Sequence, residues 1–167
     1  IENSLNIKLL SRKELCDNLS IKNNTPYCVV TFHPATLEFE SAESQLFELI
    51  QAMDANKQYH YIITLANADA GSKRINNVWE KERQKRDNWS VIPSLGVKRY
   101  LSALKYCEMM IGNSSSGTTE GPAMLVPIIN IGNRQKGRVM ADSILNCKTR
   151  KFDIIETMNI AKSKKFK

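Results

Sequence analysis

The sequence has no long uninterrupted apolar run, and none of its apolar stretches approaches the about 20 residues that a transmembrane helix needs. Its opening, IENSLNIKLL, also lacks a basic start followed by an apolar block. We therefore expect neither a membrane partner nor a signal peptide. An initiator methionine is missing too, and the chain stops in the lysine-rich AKSKKFK, so we expect the 167 residues to be a piece of a longer protein.

Cysteines are few and widely spaced, and no two of them form a C-x-x-C pair. They are Cys16, Cys28, Cys107 and Cys147. Cys28 and Cys107 stand in or beside apolar runs, where a reduced thiol packs as a small hydrophobic group. This usage favours a reducing, cytoplasmic location and no bound zinc or other metal.

The sequence also lacks the alternation of basic and aromatic residues that a nucleic-acid groove needs. Its net charge is +7, but +5 of that charge lies in the last 20 residues. A solvated helix face or tail accounts for such a cluster, so we expect no nucleic-acid partner. With 42% hydrophobic and 25% charged residues, the chain is long enough for one globular domain with a core.

Short apolar runs alternate with amphipathic stretches, which predicts an α/β fold with a parallel sheet. Five runs predict buried strands at 27–32, 61–65, 89–92, 109–111 and 127–131, and a weaker run predicts a strand at 143–147. Apolar residues at helical spacing predict three helices, and a fourth is predicted near 152–161. The three faces are Ala42, Leu46, Phe47, Ile50 and Met53, with Ser41 as N-cap; Ile75, Val78 and Trp79; and Val97, Tyr100, Leu101 and Leu104.

Polar residues follow the predicted strands at the points where a ligand site is expected. His33 follows the first strand, Asn67 and Asp69 the second, the stretch IGNSSSGTTE the fourth, and Arg134 the fifth. Ligands of open parallel sheets bind outside the carboxyl ends of the strands. The sequence therefore predicts a binding site at this edge.

The stretch IGNSSSGTTE could hold a nucleophile, a phosphate or a plain helix cap. None of its serines has glycines at both −2 and +2, as an activated G-x-S-x-G serine would, and Thr118 stands where a triphosphate loop needs lysine. Glycines, hydroxyls and N–H groups at a helix start still favour a diphosphate cradle, with Glu120 one turn further on to accept from a ribose diol. A plain cap with a solvated Glu120 remains the alternative.

The stretch 112–138, GNSSSGTTEGPAMLVPIINIGNRQKGR, resembles the signature of hydrolysing UDP-N-acetylglucosamine 2-epimerases of sialic-acid and related nonulosonic-acid pathways. Further matches are VTFHPATLE at 30–38, ANADAGSKRIN at 66–76 and SLGVKRYLSALK at 94–105. The resemblance covers nearly the whole chain in the same order. It is specific, because non-hydrolysing relatives carry a T-D-S-G-G loop in place of GNSSSG.

The resemblance implies a Rossmann-like parallel sheet flanked by helices, as one half of a glycosyltransferase-B-like two-domain fold. Residues 1–167 would form the carboxyl-terminal, UDP-binding domain. The amino-terminal domain, which supplies the catalytic carboxylates in such enzymes, would then be absent from this chain. The resemblance implies no cofactor, and we expect the full-length protein to be a homo-oligomer.

The resemblance also implies roles around a bound UDP-sugar. Ser114 and Ser115, with Gly117 in the same loop, would bind the diphosphate. Glu120 would hold the ribose, and Arg134 would help to close the nucleotide site.

On the sugar side, His33 would be a catalytic residue and Asn67 would line the pocket with it. Asp69 would contact the ligand or cap the following helix. Leu95 would lie near the uracil.

The implied reaction is elimination of UDP from UDP-N-acetylglucosamine with loss of the C2 proton, followed by addition of water to give N-acetylmannosamine. The isolated chain is expected to bind UDP without turnover. Three alternatives stay open: a diacetylated bacillosamine nucleotide as substrate, the donor-binding domain of a glycosyltransferase, and a non-catalytic nucleotide-binding or basic interaction module.

Overall fold

A computed structural model of the chain describes residues 8–33, 42–66, 70–113, 126–132 and 144–163. Within these ranges, helices and strands alternate along most of the chain. In chain order they are α1 (Arg12–Leu19), β1 (Tyr27–Thr31), α2 (Ala42–Asp54), β2 (His60–Thr64), α3 (Ala70–Arg83), β3 (Trp89–Ile92), α4 (Gly96–Tyr106), β4 (Met109–Gly112), β5 (Ile128–Ile131), β6 (Ile144–Cys147) and α5 (Lys151–Ser163).

The six strands form one sheet in the order β3-β2-β1-β4-β5-β6, and every neighbouring pair is parallel. The register places Val29 in the centre, opposite Ile62 on one side and Met110 on the other. The predicted α/β class with a parallel sheet is confirmed, and each predicted strand agrees with an observed one to within one residue at either end.

The strand order reverses its direction at β1. The chain passes from β1 outward through β2 to β3, and then returns to place β4 on the other side of β1. In open parallel sheets such a reversal leaves a crevice at the carboxyl ends of the two strands, and ligands bind there. The strand order therefore predicts a ligand crevice at the carboxyl ends of β1 and β4.

Two layers of buried side chains cover the sheet, one on each face. Cys28 and Val30 belong to the layer formed with α2, α3 and α5, whereas Tyr27 and Val29 belong to the layer formed with α1 and α4. This alternation follows from the two-residue period of a strand. Cys28 is 0% exposed and Cys107 3% exposed, which confirms that both pack as hydrophobic groups.

Two residues predicted to face the core are exposed instead. Phe47 is 38% exposed and Val97 is 55% exposed. Phe47 follows the fully buried Leu46 by one position, which rotates it by about 100° around the helix, away from the sheet. Val97 lies in the first turn of α4, and the buried residues of this helix begin only at Leu101. The proposed cap Ser41 lies outside the described residues.

Helix α1 was not among the predicted elements. It begins with a capping box in which the Glu14 N–H donates to Ser11 Oγ (3.1 Å) and the Ser11 N–H donates to Glu14 Oε1 (2.9 Å). The helix buries Leu15, Cys16 and Leu19 against the sheet. Among the described helices, none combines the length and the apolar character needed to cross a membrane.

Candidate functional site at the carboxyl edge of the sheet

The residues predicted to bind the ligand follow five strands that are neighbours in the sheet, β3-β2-β1-β4-β5. Because these strands are parallel and about 4.8 Å apart, the ends of β2, β1, β4 and β5 span about 15 Å along one edge. The structure describes His33, two residues beyond β1, and Leu95, between β3 and α4. Seven predicted site residues lie outside the described ranges: Asn67, Asp69, Ser114, Ser115, Gly117, Glu120 and Arg134.

The main chain of His33 is held by the side chain of Asn113. The His33 N–H donates to Asn113 Oδ1 at 2.7 Å, and Asn113 Nδ2 donates to the His33 carbonyl at 2.7 Å. Asn113 is 3% exposed, whereas His33 is half-buried. The first residue after β4 therefore fixes the residue from which the predicted catalytic side chain projects.

Strands β1 and β4 approach very closely at their carboxyl ends. Gly112 has φ +150°, and a Cβ placed on it would lie 1.7 Å from the Thr31 carbonyl oxygen. The same carbonyl accepts a hydrogen bond from the Asn113 N–H at 3.3 Å. The close approach requires glycine at position 112, which explains why a glycine opens the predicted diphosphate loop.

A buried hydroxyl pair connects β1 with β2 just before the edge. Thr31 Oγ1 and Thr64 Oγ1 are 2.6 Å apart, and the two residues are opposite each other in the register. Each hydroxyl can donate one proton and accept another, so one threonine donates to the other inside the core. It joins the strands that precede His33 and the loop of Asn67.

A second asparagine fixes the start of the loop after β2. Asn76 Nδ2 donates to the Ala66 carbonyl (3.1 Å), and the Ala66 N–H donates to Asn76 Oδ1 (3.0 Å). Ala66 directly precedes Asn67 in the chain. The arrangement has the same chemistry as the Asn113 contact, since one amide group satisfies both main-chain groups of a residue just beyond a strand.

The turn between β3 and α4 carries Leu95. Its side chain is 4% exposed and belongs to the core, so a contact with a uracil ring through this residue would involve its main chain. Arg99 donates to the carbonyls of Leu95 (2.8 Å) and Ser94 (3.2 Å), which fixes the turn. Gly96 adopts φ +74° there.

Another turn that depends on glycine follows β5 and leads toward Arg134 in the chain. Gly132 has φ +79°, and its N–H donates to the Cys147 carbonyl at 2.9 Å. A Cβ on Gly132 would lie 3.0 Å from Thr149 Oγ1. The first residue after β5 is therefore held by the last residue of β6.

The second histidine of the chain lies at the opposite edge. His60 starts β2, and its Nε2 is 2.7 Å from Ser90 Oγ. Burial lowers the pKa of His60 below its usual value, with a smaller opposing effect of Asp87. His60 is thus a structural residue remote from the candidate site.

Sequence reasoning missed the residues that hold this edge together. Asn113, Asn76 and the Thr31–Thr64 pair were assigned no role, although Asn113 and Asn76 lie within the stretches that suggested a site. A detectable signal was present, since Asn113 stands directly after a buried strand, where an amide can bond to neighbouring main chain.

The comparisons with known proteins agree with the resemblance seen in the sequence. The family described as UDP-N-acetylglucosamine 2-epimerase matches residues 3–167. The chain is 34% identical over 163 residues to the GDP/UDP-N,N'-diacetylbacillosamine 2-epimerase (hydrolyzing) of Campylobacter jejuni, covering 97% of this chain and 42% of that protein. It is 37% identical over 169 residues to the polysialic acid biosynthesis protein P7 of Escherichia coli, covering 99% of this chain and again 42% of the relative.

Among solved structures, the chain is similar to the UDP-GlcNAc 2-epimerase of Methanocaldococcus jannaschii in complex with UDP-GlcNAc and UDP, with a TM-score of 0.73. The match covers 98% of this chain and 44% of that one at 14% sequence identity, so it shows a shared fold. The chain spans 42% of the length of the two relatives named above.

Proposed function

This chain belongs to the UDP-N-acetylglucosamine 2-epimerase family, and we propose that it is the UDP-binding half of a hydrolysing epimerase. The observation that carries the proposal is the edge between β1 and β4, where Asn113 holds His33 directly beside the start of the serine loop. A residue able to transfer protons and a loop rich in donors then meet at the reversal of the strand order, where such sheets bind ligands.

In this proposal the loop after Asn113 binds the leaving group. Ser114, Ser115 and Gly117 offer hydroxyl and main-chain donors to the diphosphate, whose negative charge suits the N–H groups of a helix start. Arg134 adds a charge-assisted contact, which is stronger than one between neutral groups. Glu120 accepts from the ribose hydroxyls.

The remaining proposed contacts are on the sugar and base sides. His33 faces the sugar, with Asn67 and Asp69 approaching from the end of β2. The proposed place of Asn67 is supported by the fixed main chain at Ala66, because Ala66 directly precedes Asn67 and sets where its loop begins. Leu95 offers its main chain to the uracil.

The reaction has two steps. A base removes the proton from C2 of UDP-N-acetylglucosamine, the C1–O bond breaks, and UDP leaves with that electron pair while a C1=C2 double bond forms. Water then adds, with its hydroxyl going to C1 and a proton to the opposite face of C2, which gives N-acetylmannosamine. His33 is the proposed proton-transfer group of this chain, and the other acids and bases belong to the proposed amino-terminal half.

A diacetylated bacillosamine nucleotide is a second candidate substrate. The specific support is the Campylobacter jejuni relative, 34% identical over 97% of this chain, whose name specifies that sugar. Both substrates would present the same diphosphate to the serine loop. In either case the epimerised sugar is proposed to serve synthesis of sialic or related nonulosonic acids, which agrees with the name of the Escherichia coli relative.

The proposed division, with UDP binding in this chain and the catalytic carboxylates in the amino-terminal half, is tested with two proteins. They are this chain alone and the complete protein that contains it. We expect the chain to bind UDP but release none from UDP-N-acetylglucosamine, because it lacks the proposed carboxylates and the second domain needed to exclude water. The complete protein should release UDP and N-acetylmannosamine without an acceptor. Release of UDP by the chain alone at the rate of the complete protein contradicts this division, and a requirement for an acceptor indicates a glycosyltransferase.

A further inference from the structure

The side chain of Asn113 bonds to both main-chain polar groups of a residue 80 positions away. Its side chain is 3% exposed, and its two hydrogen bonds to the N–H and carbonyl of His33 are both 2.7 Å long. A carboxamide can accept from an N–H and donate to a carbonyl at once, whereas a carboxylate has no donor and alanine has neither group. The pair of contacts therefore specifies an amide at this position.

The main chain on either side of this contact is also fixed. The Asn113 N–H donates to the Thr31 carbonyl, and Gly112 allows the two strands to meet at that carbonyl. The next residue along the chain is Ser114, the first serine of the loop. One buried side chain thus joins the end of β1, which carries His33, to the start of the loop that would bind the diphosphate.

We propose that Asn113 is a positioning residue that fixes His33 relative to the end of β4, at the residue directly before Ser114. The inference rests on the proposed function for what this contact serves, namely placement of the sugar at His33 relative to a diphosphate bound beyond the end of β4. Proton transfer and loss of the leaving group depend on relative placement, and a displacement of about 1 Å can reduce a rate about 100-fold. Asn113 acts through His33 and the loop, and itself contacts main chain.

The first arm of the test needs no ligand. Amide hydrogen exchange of this chain is followed by NMR at His33, with Val29 in the middle of β1 as the reference for an intact strand. In Asn113→Ala we expect the His33 amide to exchange about tenfold faster, because its acceptor is gone, while Val29 keeps its protection. Asn113→Asp retains the acceptor but not the donor, and should give an intermediate rate.

The matched control is Asn56→Ala. Asn56 is another buried amide, 8% exposed, and its Nδ2 donates to the Ala52 carbonyl at 3.1 Å near the end of α2. It precedes β2 and so lies at the opposite edge of the sheet. This variant should lose stability without changing exchange at His33, which separates positioning from a general loss of packing.

The second arm measures UDP affinity of the same variants. We expect Asn113→Ala to bind UDP about tenfold more weakly, the effect of one misplaced contact to the diphosphate, and Asn56→Ala to bind it as the wild type does. If Asn113→Ala does not fold, hydrogen exchange at His33 and UDP affinity are both measured on Asn113→Asp. Wild-type exchange at His33 in a folded variant, or wild-type UDP affinity, overturns the proposal. If the wild-type chain does not bind UDP, the proposed function is overturned. The hydrogen-exchange measurement still tests the contact between Asn113 and His33, because it needs no ligand.

Discussion

Among the described residues of the candidate site, His33 is held at both of its main-chain polar groups, which bond to Asn113. If it transfers a proton in the complete enzyme, His33→Ala should lower kcat about 100-fold or more, as loss of a general acid or base does. UDP affinity should change much less, because the histidine is proposed to face the sugar. Steady-state kinetics and a UDP titration measure the two effects.

The chain supplies its own control for this experiment. His60 is the second of only two histidines, and it bonds to Ser90 at the other edge of the sheet. His60→Ala should leave kcat and UDP affinity near their wild-type values. Equal losses of kcat in the two variants would mean that His33 has no special part in the chemistry.

Glu120 is predicted to hold the ribose, and a mutation can separate this role from that of a solvated acid. Glu120→Gln should weaken binding of UDP and leave binding of inorganic pyrophosphate unchanged, because the carboxylate is expected to contact only the sugar hydroxyls. If Glu120 merely favours the start of a helix, ligand binding will not respond and stability will change by about 0.3 to 1 kcal/mol. Parallel titrations with a thermal melt distinguish the two outcomes.

At the residue scale, the sequence points more readily to side chains whose chemistry suits a ligand than to the side chains that hold the edge of the sheet together. The serines and Glu120 stand out because their chemistry suits a nucleotide. Asn113 does not, because its importance lies in a contact with His33 80 positions earlier in the chain. A single sequence carries no direct record of such a pairing.

Among the secondary-structure elements, β1 and β4 depend most on one small residue at their contact. Gly112→Ala would place a Cβ 1.7 Å from the Thr31 carbonyl oxygen, so the strands would have to separate. We expect a loss of more than about 3 kcal/mol in the free energy of unfolding, as for severe overpacking. Urea denaturation of the chain measures it.

Gly96→Ala is the matched control for backbone conformation without crowding. Gly96 has φ +74°, but no atom lies within 4 Å of the position that its Cβ would take. Gly96→Ala should lower the free energy of unfolding by about 1 to 2 kcal/mol, because alanine is strained in the left-handed conformation. Similar losses in the two variants would show that the contact between β1 and β4 is not the cause.

Strands β1, β4 and β5 could be predicted closely because they are buried along their whole length, so their apolar runs have few interruptions. The buried faces of the helices were harder to predict from the sequence. Phe47 and Val97 extend an apolar spacing past the surface that actually contacts the sheet, and periodicity does not reveal where that contact ends. Helix α1 has a capping box at Ser11 and Glu14, but its single buried face is short and its remainder polar.

For the whole molecule, the sequence predicts a parallel α/β fold but does not predict the order of the strands. Apolar runs give each strand without its neighbours, whereas the observed order places β4 beside β1 and creates the reversal. That reversal brings His33 and Asn113 together. The strand pattern and the resemblance to the epimerases predicted the fold class and a site at the carboxyl edge, and the strand order adds the point on that edge where the direction reverses.

The proposed function depends above all on the carboxyl edge between β1 and β4 binding a nucleoside diphosphate through its phosphates. The most direct test is an NMR titration of this chain with UDP and with uridine, following the ring signals of His33 and His60. UDP should bind at least about tenfold more tightly, since charge-assisted contacts to the diphosphate are lost with uridine, and it should shift His33 but not His60. Equal affinities for UDP and uridine, or a shift confined to His60, would contradict the claim.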